Sequence, residues 1–114
     1  MSKDQVFQQI RSLPLSQQVA LWVILRMSKI DEPGFSFYSS TFAKLFKPYV
    51  KKHLFTNPEE YGKFVGAALS GLMRNKILIR LTGDRNKLWT ISDDIKDNLE
   101  KFKKSLFETK VYWN

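Results

Sequence analysis

The chain has 114 residues, 43% of them apolar and 26% charged, which fits one folded domain with a core of its own and little left for a second. It contains no cysteine, so disulfides and thiolate metal sites are excluded, and its one histidine, His53, removes most zinc chemistry and any histidine-assisted catalytic triad. The net charge of +8 is unevenly held: residues 35–92 carry ten basic against three acidic side chains, while the segments on either side are close to neutral. A basic block between neutral flanks reads as an electrostatic footprint for an anionic partner, nucleic acid first, the alternative being a solvated lysine-rich face that binds nothing.

In chain order, Val6, Phe7, Ile10 and Leu13 fall at helical spacing behind Ser2 and predict a short helix that Pro14 ends. Ser16 is the expected cap of a second helix, whose centre VALWVIL (Val19 to Leu25) is apolar on every side. Such a helix belongs at the centre of a fold, or in part against a second subunit. Trp22 is expected in the core. Asp31-Glu32-Pro33-Gly34 breaks the chain, and GFSFYSS reads as a short extended piece. Ser39 or Ser40 then caps a helix with Phe42, Leu45, Phe46, Tyr49, Val50 and Leu54 on one stripe and Lys44, Lys47, Lys51 and Lys52 away from it. Pro48 has no N–H for the carbonyl of Lys44, so this helix is expected to kink or split near Lys47.

Asn57 as cap, Pro58 in the first helical position and Glu59-Glu60 in the first turn make a helix start. The helix runs to Asn75 and buries Val65, Ala68, Leu69, Leu72 and Met73. Its outward positions are Gly62, Lys63, Gly66, Ala67, Ser70, Gly71 and Arg74. The β-rich runs ILIRLT and KLWTIS flank Gly83-Asp84-Arg85-Asn86, a hairpin turn, and Trp89 is expected in the core. Beyond Ser92, Ile95, Leu99, Phe102 and Leu106 form the stripe of a long C-terminal helix able to dock on a partner surface. The expectation is one domain over residues 1–114: a core over 16–92, an added helix over 1–14, and a helix with its tail over 93–114.

The run VGAALSGLMRNKILIRL followed by LWTIS resembles the closing part of the winged-helix superfamily, and the likeness extends over residues 16–92. The resemblance implies an α+β, mainly α, winged helix-turn-helix. The helix from Pro58 is then the recognition helix, and the turn at Gly83 to Lys87 the wing tip. It also implies a DNA-binding protein, most simply a small transcriptional regulator acting on double-stranded DNA. Lys44, Lys47, Lys51, Lys52, Lys63, Arg74, Arg85 and Lys87 would meet phosphates, with Ser70 and Arg74 nearest the base edges. The alternative is a winged-helix module that binds protein, or assists on nucleic acid without reading its sequence. The small residues Gly62, Gly66 and Ser70, spaced four apart, point that way as well as toward close approach of a phosphate wall.

No enzyme is expected. The acidic pairs Glu59-Glu60 and Asp93-Asp94 sit at predicted helix starts, Asp31-Glu32 sits in a turn, and GDRNK lacks the glycine spacing of a phosphate loop. No cofactor, metal or small-molecule ligand is evident. The first twelve residues lack the apolar core of a signal peptide and no run is long enough to span a bilayer, so the expected location is cytoplasmic. A homodimer through the terminal helices is expected, since symmetric DNA readers of this size commonly pair over two half-sites.

Overall fold

The structure is a computed structural model and describes residues 8, 11–50, 57–81 and 87–101. It is an α+β fold, mainly helical, with a small antiparallel sheet. Most of the expected N-terminal helix, residues 51–56, the expected turn at residues 83–86 with Arg85, and residues 102–114 lie outside the described residues.

Helix α1 spans Leu15–Leu25 and buries Val19, Ala20, Leu21, Val23, Ile24 and Leu25, as an all-apolar helix requires. It starts one residue before the expected cap. Pro14, with φ −54° and an extended ψ of 148°, occupies the cap position and its carbonyl accepts the N–H groups of Gln17 (2.9 Å) and Gln18 (3.1 Å). Ser16 therefore lies inside the helix. The Gln18 amide, donating to the carbonyl of Leu13 at 2.8 Å, ties down the entry.

Strand β1 is Phe37–Tyr38 and runs straight into helix α2, Ser39–Phe46. Tyr38, not Ser39 or Ser40, takes the cap position, because the Ser39 hydroxyl is used elsewhere: it accepts from the Trp89 indole N–H at 2.8 Å. The expected break comes at Lys47, where a 3-10 turn, Lys47–Tyr49, holds Pro48 at its start. Phe42, Phe46 and Val50 are buried, but Leu45, expected on the same stripe, is exposed. Successive residues on a helix lie about 100° apart, so Leu45 and Phe46 cannot both face the centre of the core.

Helix α3, Pro58–Arg74, begins as read, with the Asn57 side chain accepting from the Glu60 N–H at 2.9 Å. It buries Val65, Ala68, Leu69, Gly71 and Leu72 against α1, α2 and the sheet. Gly71, expected to face outward, faces α1 instead: a Cβ placed there would stand 2.2 Å from the Gln17 amide nitrogen. The helix ends in a Schellman turn, Lys76 N–H to Met73 carbonyl (2.9 Å) and Ile77 N–H to Leu72 carbonyl (3.0 Å). Lys76, at φ 62°, takes the left-handed position that usually falls to glycine.

Strands β2 (Leu78–Arg80) and β3 (Leu88–Ile91) pair antiparallel, Leu78 opposite Ile91 and Arg80 opposite Trp89. β1 joins the other side of β3, with Phe37 opposite Trp89, giving the order β1-β3-β2. Trp89 is buried at the centre of this sheet, and the Thr90 hydroxyl donates to the carbonyl of Phe35 at 2.6 Å. Helix α4 is short, Asp93–Lys96, with a turn at Asp97 and Asn98 before helical residues resume at Leu99. The expected uninterrupted C-terminal helix is thus broken near its start.

Ile95 and Leu99 are buried in the chain's own core, as is α1. Both apolar surfaces expected to serve a dimer are spent internally as far as they are described. Phe102 and Leu106, the rest of that stripe, lie outside the described residues. Among the described residues no helix is long and apolar enough to cross a membrane.

Candidate nucleic-acid interface

The outer surface of α3 carries Glu59, Gly62, Lys63, Ala67 and Arg74 exposed, with Gly66 and Ser70 half-buried between them. Two of its small residues face open space, since a Cβ built at Gly62 or Gly66 would meet nothing within 4 Å. The stripe is a shallow floor that no other part of the described structure fills. Lys63 pairs with Glu59 at 3.8 Å, but both side chains are about four-fifths exposed (78% and 81%), so water and salt screen the pair.

Charge is polarised along this helix. Its N-terminal turn, where unpaired backbone N–H groups would otherwise favour an anion, is occupied by Glu59 and Glu60. Its C-terminal end carries Arg74, followed by the exposed Lys76 and, on β2, the exposed Arg80. A phosphate chain crossing α3 would thus be repelled at one end and held at the other.

Helix α2 and the 3-10 turn after it bring Lys44 and Lys47 to the surface, both exposed. It is fixed to α3 by the Tyr61 hydroxyl, which donates to the carbonyl of Ala43. That bond sits one residue from Lys44 and two from Lys63, so the cations of the two helices flank a single contact. Burial pushes the Tyr61 hydroxyl up from 10.0 to about 12, so it stays protonated and able to donate at any physiological pH. Lys87 is half-buried at the start of β3, its carbonyl accepting from the Ser39 N–H at 2.9 Å and from the Ser39 hydroxyl at 3.3 Å. The start of β3 is thereby anchored to the N-terminus of α2.

Of the nine residues predicted to contact nucleic acid, Lys44, Lys47, Lys63 and Arg74 are exposed, while Ser70 and Lys87 are half-buried. Lys51, Lys52 and Arg85 lie outside the described residues. Lys76 and Arg80 were missed. Both belong to the basic block, and counting that block to its end would have included them. The alternation of β2 reads Arg80 as inward-facing, opposite Trp89, yet on this edge strand the residue is exposed.

Among the described residues no group of three side chains is arranged to hold a metal ion. Comparison with protein families, with curated proteins and with solved structures finds no match for this chain.

Proposed function

We propose that the chain is a winged-helix protein that binds double-stranded DNA, most simply a small transcriptional regulator. The observation that carries the reading is the junction of α3 with β2. A helix with a shallow, small-residue outer face turns directly into a ribbon, and the exposed cations Arg74, Lys76 and Arg80 cluster in sequence at that turn. The sheet order β1-β3-β2 and the pairing of α2 with α3 are further support, because both are what a winged helix-turn-helix needs.

On this reading the firm contacts are to the DNA backbone. Lys44 on α2 and Lys47 in the turn after it hold one phosphate strand, and the α3–β2 junction holds another. Ser70 and Arg74 are the side chains nearest the bases, a thin set for reading sequence, and the floor of Gly62, Gly66 and Ala67 serves close approach instead. About six neutralised phosphates give a slope near −5 for log affinity against log salt. Titration of a labelled duplex at four salt concentrations measures it, and Arg74→Ala and Lys76→Ala should each lower the slope by about one. A slope near zero, or no binding at low salt, sinks the reading.

A second reading, a protein-binding module, is favoured by the outer face of the sheet. Ile79 and Leu81 are 46% and 50% exposed, Tyr38 is 49% exposed, and Leu88 lies between the strands that carry them. Salt-insensitive binding to a protein partner, lost in Leu81→Glu, would favour this reading over DNA.

A further inference from the structure

The proposed interface leaves unused the turn that follows α1. The chain leaves the helix through bonds from Arg26 N–H to Val23 carbonyl (3.2 Å) and Met27 N–H to Ile24 carbonyl (3.1 Å). It then reverses at Lys29, whose φ of 68° is uncommon for a residue with a side chain. Together with Trp22 this turn bounds a cavity of about 370 Å³, whose lining includes Arg26, Met27, Lys29 and Asp31. That volume is within the range of small-ligand sites.

Within the buried run from Val19 to Leu25, Trp22 is the one residue that reaches the surface. It is half-buried, and it is held from two sides. The Tyr49 ring meets it edge-on at 5.0 Å and 76°, and the Arg26 guanidinium carbon lies 4.8 Å from the indole centroid. The guanidinium over the indole makes a platform of a planar cation on an aromatic ring, and Trp22, Arg26 and Lys29 all line the same cavity. The charged lining is two cations against one carboxylate, Asp31, which favours an anionic ligand with a flat ring.

We propose that this cavity binds a nucleobase with its phosphate, the base stacking on the Trp22–Arg26 platform and the phosphate pairing with Lys29. Bases inside a duplex are stacked on one another and cannot reach such a platform. The ligand is therefore a free nucleotide or a nucleotide of a single strand, in which bases are free to splay onto aromatic and guanidinium planes. The site shares no residue with the α3 face, so it stands apart from the duplex reading.

The test uses the full-length chain with three probes: a fluorescein-labelled ten-residue adenine DNA strand, AMP, and a labelled duplex. Arg26 and Lys29 are both exposed, so Arg26→Gln and Lys29→Gln should fold, which a melting curve checks. Each variant should weaken the single strand about tenfold and leave duplex affinity unchanged. AMP binding that depends on Arg26 makes the free nucleotide a ligand of the site, and strand binding that depends on Arg26 without AMP binding makes the ligand a single strand; either result supports the proposal, and strand binding unchanged in both variants overturns it. Binding of neither, or equal weakening of strand and duplex by Arg26→Gln, overturns it. A chain that holds the strand through Arg26 but ignores the duplex would sink the function proposed above and leave this one standing.

Discussion

Gly71 and the pair Gly62 and Gly66 occupy opposite faces of α3, and their surroundings have nothing in common. At Gly71 the Gln17 side chain fills the space a Cβ would need. At Gly62 and Gly66 that space is empty. Glycine in a helix costs roughly 1 kcal/mol relative to alanine wherever it stands. On the inner face the cost is offset by letting α1 and α3 pack closely. On the outer face nothing among the described residues recovers it.

The strongest way to test the contrast is on the inner face itself. Leu72 is fully buried one residue from Gly71, and Leu72→Ala should cost about 2–5 kcal/mol in a denaturant titration. A value below about 1 kcal/mol would mean that the α1–α3 contact is loose and that Gly71 needs another explanation.

Gly71→Ala comes next. The clash is with the end of a flexible side chain, so the loss should be about 1–2 kcal/mol, and Gln17→Ala should relieve it. If the double variant is as unstable as the single one, Gln17 is not what Gly71 accommodates.

On the outer face the sign reverses. Gly62→Ala and Gly66→Ala should each stabilise the protein by up to about 1 kcal/mol. If that floor meets a phosphate wall, the same substitutions should weaken duplex binding. Stability rising while affinity falls would sharpen the comparison most, and unchanged affinity would turn the face over to another use.

The smallest effect concerns the clasp between α2 and α3. Because burial raises the Tyr61 hydroxyl to about 12, the neutral form is favoured in the folded state. Its contribution is complete below the unfolded value near 10 and is lost as pH rises toward 12. Thermal melts between pH 9 and 12 should show a decline that Tyr61→Phe flattens, with Tyr61→Phe itself less stable at pH 8 for want of the bond to Ala43.

Much of the fold could be read from local chemistry. The start of α3 at Asn57-Pro58-Glu59-Glu60, the split at Pro48, the break at Asp31 to Gly34 and the two strands around the hairpin each follow from one residue's preference or from alternation. What could not be read depends on a partner far along the chain. Spacing marks which residues share a stripe but not what covers it, so Gly71 was placed outward, Leu45 inward, and Ile95 and Leu99 on a free surface. The hydroxyl of Ser39 was read as a cap because its true partner, Trp89, is fifty residues away. The candidate site was legible as a charge block. Its polarity along α3 is legible too, from Glu59-Glu60 at the helix start and Arg74 at its end; the exposure of Lys76 and Arg80 beyond that end is what the structure adds.

The Schellman turn at Lys76 joins the last buried turn of α3 to the first residues of β2 with no slack between them. Helix and ribbon therefore behave as the two arms of a bent lever whose elbow is Asn75-Lys76-Ile77. A force that tilts α3 must swing Arg80 with it, and a pull on the ribbon must turn Arg74. If this surface binds an anion, the two cations arrive at a separation set by the elbow, as the jaws of a gauge do.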